Sequence, residues 1–171
     1  MDEIRIINTI KDAFSLFEEI LREGVDNLTQ GNKVALERMA AMPTSDYTLK
    51  HPRGVFGIIH LGTNYNKKDG YNGRVVQLNQ DMSLSVVSII RFIDNGLSSV
   101  SDMERYGMLP AEYPELTVDL LSGIEIQSTR PAYDRRITPI KTELVDQVNG
   151  LWFYLTTFNI PKDFIEVNFR K

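Results

Sequence analysis

The stretch LGTNYNKKDGYNGRV, residues 61–75, places two lysines in a segment rich in glycine and asparagine, a composition that could hold a phosphate. A phosphate-binding P-loop has the pattern Gly, four residues, Gly, Lys and then Ser or Thr. The motif would start at Gly62, and its second glycine position holds Lys67. Its lysine position holds Lys68, and its hydroxyl position holds Asp69. Two of the four required residues are therefore wrong, and the aspartate would bring negative charge close to the phosphate.

We interpret residues 62–73 as a polar loop that turns the chain and ends in an Asn72-Gly73 turn, a pair typical of tight turns. Asp69 lies among several asparagines, but the regular acidic spacing and the distant glutamate of a calcium-binding loop are missing. A small nucleotide-binding enzyme that uses loop 62–73 stays an alternative.

The other side chains that could do chemistry do not form a catalytic or metal-binding pattern. His51 precedes a proline, His60 lies in an apolar segment, and neither belongs to a metal-binding motif. Two groups of carboxylates could act as general acid and base: Glu18-Glu19 and Asp102-Glu104. The first pair is expected on the outer face of a helix and the second in a polar loop, where solvated charge is the simpler interpretation. We therefore predict no catalytic residue, no metal site, no cofactor and no enzymatic activity.

Composition is ordinary for a soluble globular domain. The chain has 171 residues, 42% of them hydrophobic and 25% charged, and it has no cysteine. A single domain over residues 1–171 is expected, without disulfides or thiolate metal sites. The net charge of −4 argues against a general nucleic-acid-binding protein. The acidic start MDEIRIINTIKDAF predicts no signal peptide, and no apolar run has the length of a membrane helix, so we expect a cytoplasmic protein.

Helical periodicity is strongest near the N-terminus. Apolar residues recur at steps of three and four over residues 3–23, which predicts an amphipathic helix that ends at Gly24. Within residues 27–43, Asn32 as a cap and Pro43 as a stop predict a short second helix. A further helix is predicted from Pro114 to a stop at Gly123, after a long polar connection over residues 95–113.

Two hairpins are predicted from alternating and β-branched segments. Residues 54–61 and 74–94 form the first, across the polar loop. Residues 137–145 and 150–161 form the second, joined around residues 146–150. The last strand is apolar on both faces and is expected to be central or covered on both sides. The predicted fold class is α+β: a mostly antiparallel sheet of two hairpins packed by the N-terminal amphipathic helix and a second helix.

The order of these segments resembles the Mu-type tail terminator proteins of contractile-tailed phages and related particles. The resemblance rests on RVVQLNQDMSLSVVSIIR, then LTVDLLSGI, then VNGLWFYLTTFNIP, and it covers roughly residues 50–165. In that family a strand ending in arginine precedes a helix with a leucine pair and a glycine. A Gly-x-Trp-x-Tyr strand follows near the C-terminus, here Gly150, Trp152 and Tyr154. The chain departs from the pattern in the segment 95–113 and in a more hydrophobic first helix.

The resemblance implies a structural virion protein of the tail neck, assembled in the host cytoplasm. Such a protein forms a ring, typically hexameric, that stops the tail tube, holds the last sheath ring and presents a surface to the head-tail connector. DNA passes through its lumen without specific binding, and no membrane is involved. A head-completion or connector protein on the portal side is an alternative. For subunit or tube contact at the tip of the first hairpin we predict Lys67, Lys68, Tyr71 and Arg74.

Overall fold

Two helices and seven strands lie within the part of the chain that the computed structural model describes, which comprises residues 5–6, 9–28, 34–44, 46–51, 53–67, 75–92, 108–127 and 135–168. In chain order they are β1 (Arg5–Ile6), α1 (Ile10–Leu28), β2 (Ala35–Arg38), β3 (Gly54–Lys67), β4 (Val75–Arg91), α2 (Glu112–Leu121), β5 (Ile126–Gln127), β6 (Thr138–Val148) and β7 (Leu151–Asn168).

One five-stranded sheet carries the fold, with the strand order β2-β3-β4-β7-β6. β2 runs parallel to β3, and the remaining neighbours in this sheet are antiparallel. The short strands β1 and β5 form a separate parallel pair. The predicted fold class is confirmed: α+β, with a mostly antiparallel sheet, an N-terminal helix and a second helix.

The N-terminal helix is confirmed, but it lies later in the chain than the predicted range 3–23. Thr9 caps this helix. The Asp12 backbone amide donates a hydrogen bond to the Thr9 hydroxyl at 3.1 Å, and the Thr9 backbone amide donates one to the Asp12 carboxylate at 3.1 Å. This reciprocal pair satisfies two amides that the first turn would leave unpaired. The predicted stop at Gly24 is wrong, because α1 continues to Leu28. Gly24 lies close to α2, since a methyl group at this position would lie 2.4 Å from the Leu120 side chain.

The predicted short helix within residues 27–43 is wrong: this region contains β2. Ala, Leu, Glu and Arg all favour helices, but here they pair with β3 from Ala35–Val55 to Arg38–Ile58. Leu36 packs on the helix side of the sheet and Ala35 on the other. This alternation is the period of two that a strand requires.

Both predicted hairpins are confirmed, with longer strands than expected. β3 extends to Lys67 and β4 begins at Val75, so residues 62–67 are strand and not loop. The predicted Asn72-Gly73 turn lies outside the described residues. In the second hairpin, Asn149 and Gly150 have φ values of 51° and 75° between the paired residues Val148 and Leu151. Two central residues with positive φ match the right-handed twist of the flanking strands.

The sheet buries apolar side chains on both faces. The helix-side cluster contains Ala13, Leu16, Phe17, Leu21, Phe56, Ile58, Met82, Leu84, Val86, Ile90, Tyr113, Leu121, Phe158 and Ile160. Within it, the rings of Phe17 and Phe158 meet edge to face at 5.6 Å. On the other face, the loop-side cluster contains Leu49, Val55, Ile59, Val87, Ile89, Leu151 and Phe153, and Met39, Met42 and Tyr47 pack against it. β7 lies between β4 and β6, which confirms the predicted central strand.

The second helix is also confirmed, and α2 begins two positions before the predicted Pro114. Its N-terminal turn therefore includes the end of the predicted connection 95–113, most of which lies outside the described residues. Neither α1 nor α2, within the described ranges, is long and apolar enough to cross a membrane.

Candidate assembly surfaces

The P-loop-like stretch begins inside a β-strand. Residues 62–67 lie in β3 and pair with β4 from Gly62–Ser83 to Lys67–Leu78. A phosphate loop curls so that successive backbone amides point at one anion. An extended strand held in a ladder cannot do so, and this geometry argues against a phosphate loop that starts at Gly62.

Of the four predicted contact residues, one lies within the described part of the chain. Lys67 is the last residue of β3 and stands opposite Leu78. Lys68, Tyr71 and Arg74 lie outside the described residues. Their role in subunit or tube contact stays a prediction.

Past the cluster residues Ile59, Met82 and Ile160, three paired strands continue as a segment that we name the β-arm: residues 61–67 of β3, 75–81 of β4 and 161–168 of β7. Seven strand residues span about 20 Å. No described side chain of the β-arm belongs to the helix-side or the loop-side cluster. Leu61 is 51% exposed and Tyr65 is 57% exposed. Two apolar side chains of the β-arm are therefore exposed, Leu61 next to the core and Tyr65 further along β3.

The outer strand β6 is a second exposed surface. Residues 138–147 are all exposed, including the apolar Ile140, Leu144 and Val145. Lys141 Nζ lies 2.9 Å from Glu143 Oε2 on this strand. The sequence predicted the strand but not its place at the edge of the sheet. Pro139 was the available signal, since proline within a strand is typical of edge strands.

Glu18 of the carboxylate pair Glu18-Glu19 is paired with two arginines. Glu18 accepts a hydrogen bond from Arg38 Nε, and its other oxygen lies 3.9 Å from Arg22 Nη2. The Arg38 guanidinium also lies 5.6 Å from the ring centroid of Phe14. Glu18 therefore joins α1 to β2, which the sequence did not indicate. The other predicted pair, Asp102 and Glu104, lies outside the described residues.

The two histidines make separate local contacts. His51 Nε2 lies 2.9 Å from Glu37 Oε1, and His60 Nε2 lies 3.2 Å from Thr63 Oγ1. Within the described ranges, no group of three or more His, Asp or Glu side chains is placed to hold a metal ion.

A buried arginine, missed by sequence reasoning, anchors α2 to the sheet. Arg53 is 4% exposed, and its Nε donates to the Tyr113 hydroxyl at 2.8 Å. Its Nη1 donates to the carbonyl of Arg91. The guanidinium lies 5.1 Å from the ring centroid of Tyr113 and 5.8 Å from that of Phe92. No periodic signal surrounds this arginine in the sequence, because its partners come from distant segments.

The Gly-x-Trp-x-Tyr residues take structural positions at the start of β7. Gly150 forms the hairpin turn, and Trp152 Nε1 donates to the Phe92 carbonyl at 3.4 Å. Tyr154 stands opposite Leu144 of β6, and partial burial raises the pKa of its hydroxyl above the ordinary value of 10.0. These residues fix the hairpin that presents β6.

No family model and no curated protein matches this chain.

Proposed function

We propose that this chain is the tail terminator of a contractile tail. In this role it forms a ring on the last layer of the tail tube and sheath and presents a surface to the head connector. The β-arm is the observation that supports the proposal most, because a ring subunit must reach beyond its own core to a neighbour or to the tube. The resemblance of residues 50–165 to the Mu-type terminators supports the same function.

Assembly through the β-arm is physically reasonable. Leu61 and Tyr65 are more than half exposed, although each is large and apolar. Burying such side chains against a partner is favourable. Tyr65 lies in the ladder opposite Gln80 and Leu61 lies at the bulge between His60 and Gly62, so the backbone at Tyr65 is already ordered before it binds. A ring requires two different complementary surfaces on each subunit, so that head-to-tail contacts close. The β-arm supplies one of them.

Electron microscopy of the purified chain tests the proposal, alone and mixed with tubes assembled from the tube protein of the same particle. We expect closed rings and rings bound at one end of each tube. Capped ends should not elongate when more tube protein is added.

A matched pair of variants tests the role of the β-arm. The double variant Leu61→Asp with Tyr65→Asp should lose binding to tube ends. Leu109→Asp changes a residue of similar exposure, 48%, outside the β-arm and should keep it. Charge reversal at Lys67 and Lys68 should weaken end binding if the predicted contact residues are correct.

Other outcomes would contradict the proposal. A chain that stays monomeric with tubes and hydrolyses a nucleotide would support the small enzyme. Rings that bind only the portal side of heads would support the connector.

A further inference from the structure

We propose that β6 is a self-association edge, on which a second copy of this chain adds its own β6 antiparallel about a two-fold axis at Thr142. The outer side of β6 borders no other strand in the described part of the sheet. Its residues 138–147 are all exposed. An edge of this kind can extend into a second sheet through backbone hydrogen bonds.

Two bulges restrict how another strand can add to β6. The pairing with β7 skips Ile140 and Val145, so that only residues 141–144 form a regular segment between them. Bulges twist an edge and interrupt its hydrogen-bonding pattern. A partner strand is therefore confined to registers centred on this four-residue window.

Charge selects one register among those that the window allows. A two-fold antiparallel pairing places the central residue opposite itself. An axis at Lys141 sets lysine against lysine, and an axis at Glu143 sets glutamate against glutamate. An axis at Leu144 sets Glu143 opposite Val145 of the partner subunit and forms no pair of opposite charges. Like charges directly opposite are unfavourable in a sheet.

An axis at Thr142 places no like charges opposite each other, and the paired segment runs from the bulged Ile140 to Leu144. Lys141 then stands opposite Glu143 of the partner subunit, and the same contact occurs a second time across the axis. Ile140, which is 60% exposed, stands opposite Leu144 of the partner subunit. Lys141 and Glu143 already lie 2.9 Å apart on one face of the strand. Pairing of two copies therefore brings two lysines and two glutamates together in alternation. This charge complementarity favours a second copy of the chain over an unrelated strand at the β6 edge.

This contact is independent of the proposed ring. A two-fold contact closes at two copies, whereas a ring requires head-to-tail contacts. The β6 contact and the ring contact made by the β-arm can therefore be tested separately.

Cysteine cross-linking tests the register, since the natural chain has no cysteine. In Thr142→Cys the two Cα atoms across the axis would lie about 4.5–5.5 Å apart, within the range of a disulfide. Gln147→Cys is the control on the same strand, because its two copies would lie about 30 Å apart in this register. With oxidised glutathione we expect a covalent dimer of Thr142→Cys, which dithiothreitol reverses, and none of Gln147→Cys.

Charge reversal tests the selection of partner. Analytical ultracentrifugation at low salt should give a dimer dissociation constant about tenfold higher for Lys141→Glu, since two opposite-charge pairs become like-charge pairs. The double variant Lys141→Glu with Glu143→Lys restores the pairs and should restore the wild-type constant. Lys11→Glu makes the same net-charge change on α1 and should have no effect. The difference should shrink at 1 M salt.

Three results would overturn the inference. The first is a cross-linking result in which Thr142→Cys forms no more covalent dimer than Gln147→Cys. The second is an unchanged dissociation constant for Lys141→Glu, and the third is no recovery of that constant in the double variant. Rings that form normally while these tests fail would leave the proposed function standing and remove the β6 contact alone.

Discussion

The replacement Tyr113→Phe should destabilise the protein by removing one hydroxyl while keeping the aromatic ring. Tyr113 is fully buried, and its hydroxyl accepts the hydrogen bond from Arg53 Nε at 2.8 Å. The ring should remain 5.1 Å from the guanidinium, so that most of the cation–π contact persists. The variant therefore removes the hydrogen bonding of the hydroxyl and keeps the ring.

The expected cost follows from the chemistry of arginine. The guanidinium stays charged at any ordinary pH, so deprotonation cannot reduce the cost of losing its hydrogen-bond acceptor. Loss of a partner at a buried charged donor costs about 2 kcal/mol of the free energy of unfolding. With a urea m-value of about 2 kcal/mol per molar, the unfolding midpoint should fall by about 1 M.

Urea unfolding followed by Trp152 fluorescence and by circular dichroism measures this shift. Tyr65→Phe is the control, because Tyr65 is 57% exposed. Removal of its hydroxyl should change the free energy of unfolding by less than about 0.5 kcal/mol. Equal midpoints for the two variants would refute the anchoring role of Arg53.

Three further predictions concern the sheet. Gly150→Ala should cost about 1–2 kcal/mol in urea unfolding, because φ at this position is 75°. Gly54→Ala should cost about 1–3 kcal/mol, since its new methyl group would lie 2.5 Å from the backbone oxygen of Ile89; Gly57→Ala meets only a flexible methionine side chain and should cost less. Burial raises the pKa of Tyr154, so the folded state holds the hydroxyl proton more tightly than the unfolded state does. The stability contributed by Tyr154 is therefore complete below pH 10.0 and is lost as the pH rises through the raised pKa.

Each of these three predictions has an outcome that would contradict it. A neutral Gly150→Ala would mean that the turn relaxes to another conformation. Equal costs for the two sheet glycines would mean that the backbone near Ile89 yields easily. An unchanged alkaline loss of stability in Tyr154→Phe, measured between pH 9 and pH 11, would assign that loss to other groups.

Periodicity in the sequence predicted α1, both hairpins and α2, because each carries an apolar pattern long enough to specify its own element. β2 escaped prediction because its four residues favour a helix locally and become a strand only through pairing with β3. The continuation of β3 through residues 62–67 was missed for a related reason. Glycine and asparagine suggest a turn, but the neighbouring strand β4 holds this segment extended.

The surface features were harder to predict than the elements. Pairing in space, and not local sequence, decides that β6 is an edge and that Arg53 is buried. The contact residues proposed at the hairpin tip rest on polarity and loop position alone. The exposure of apolar residues of the β-arm, such as Tyr65, depends on how the elements pack, which the local sequence does not specify.

The pairing of β4 with β7 has a mechanical consequence. The ladder is antiparallel and runs from Val75–Asn168 in the β-arm to Arg91–Leu151 at the opposite end of the strands. A force applied to the tip along the strand direction loads these hydrogen bonds in shear, so that many must rupture together. A force that peels the tip sideways would break them one after another. The protein is therefore stiff against tension along its long strands and yields more readily to a lateral pull.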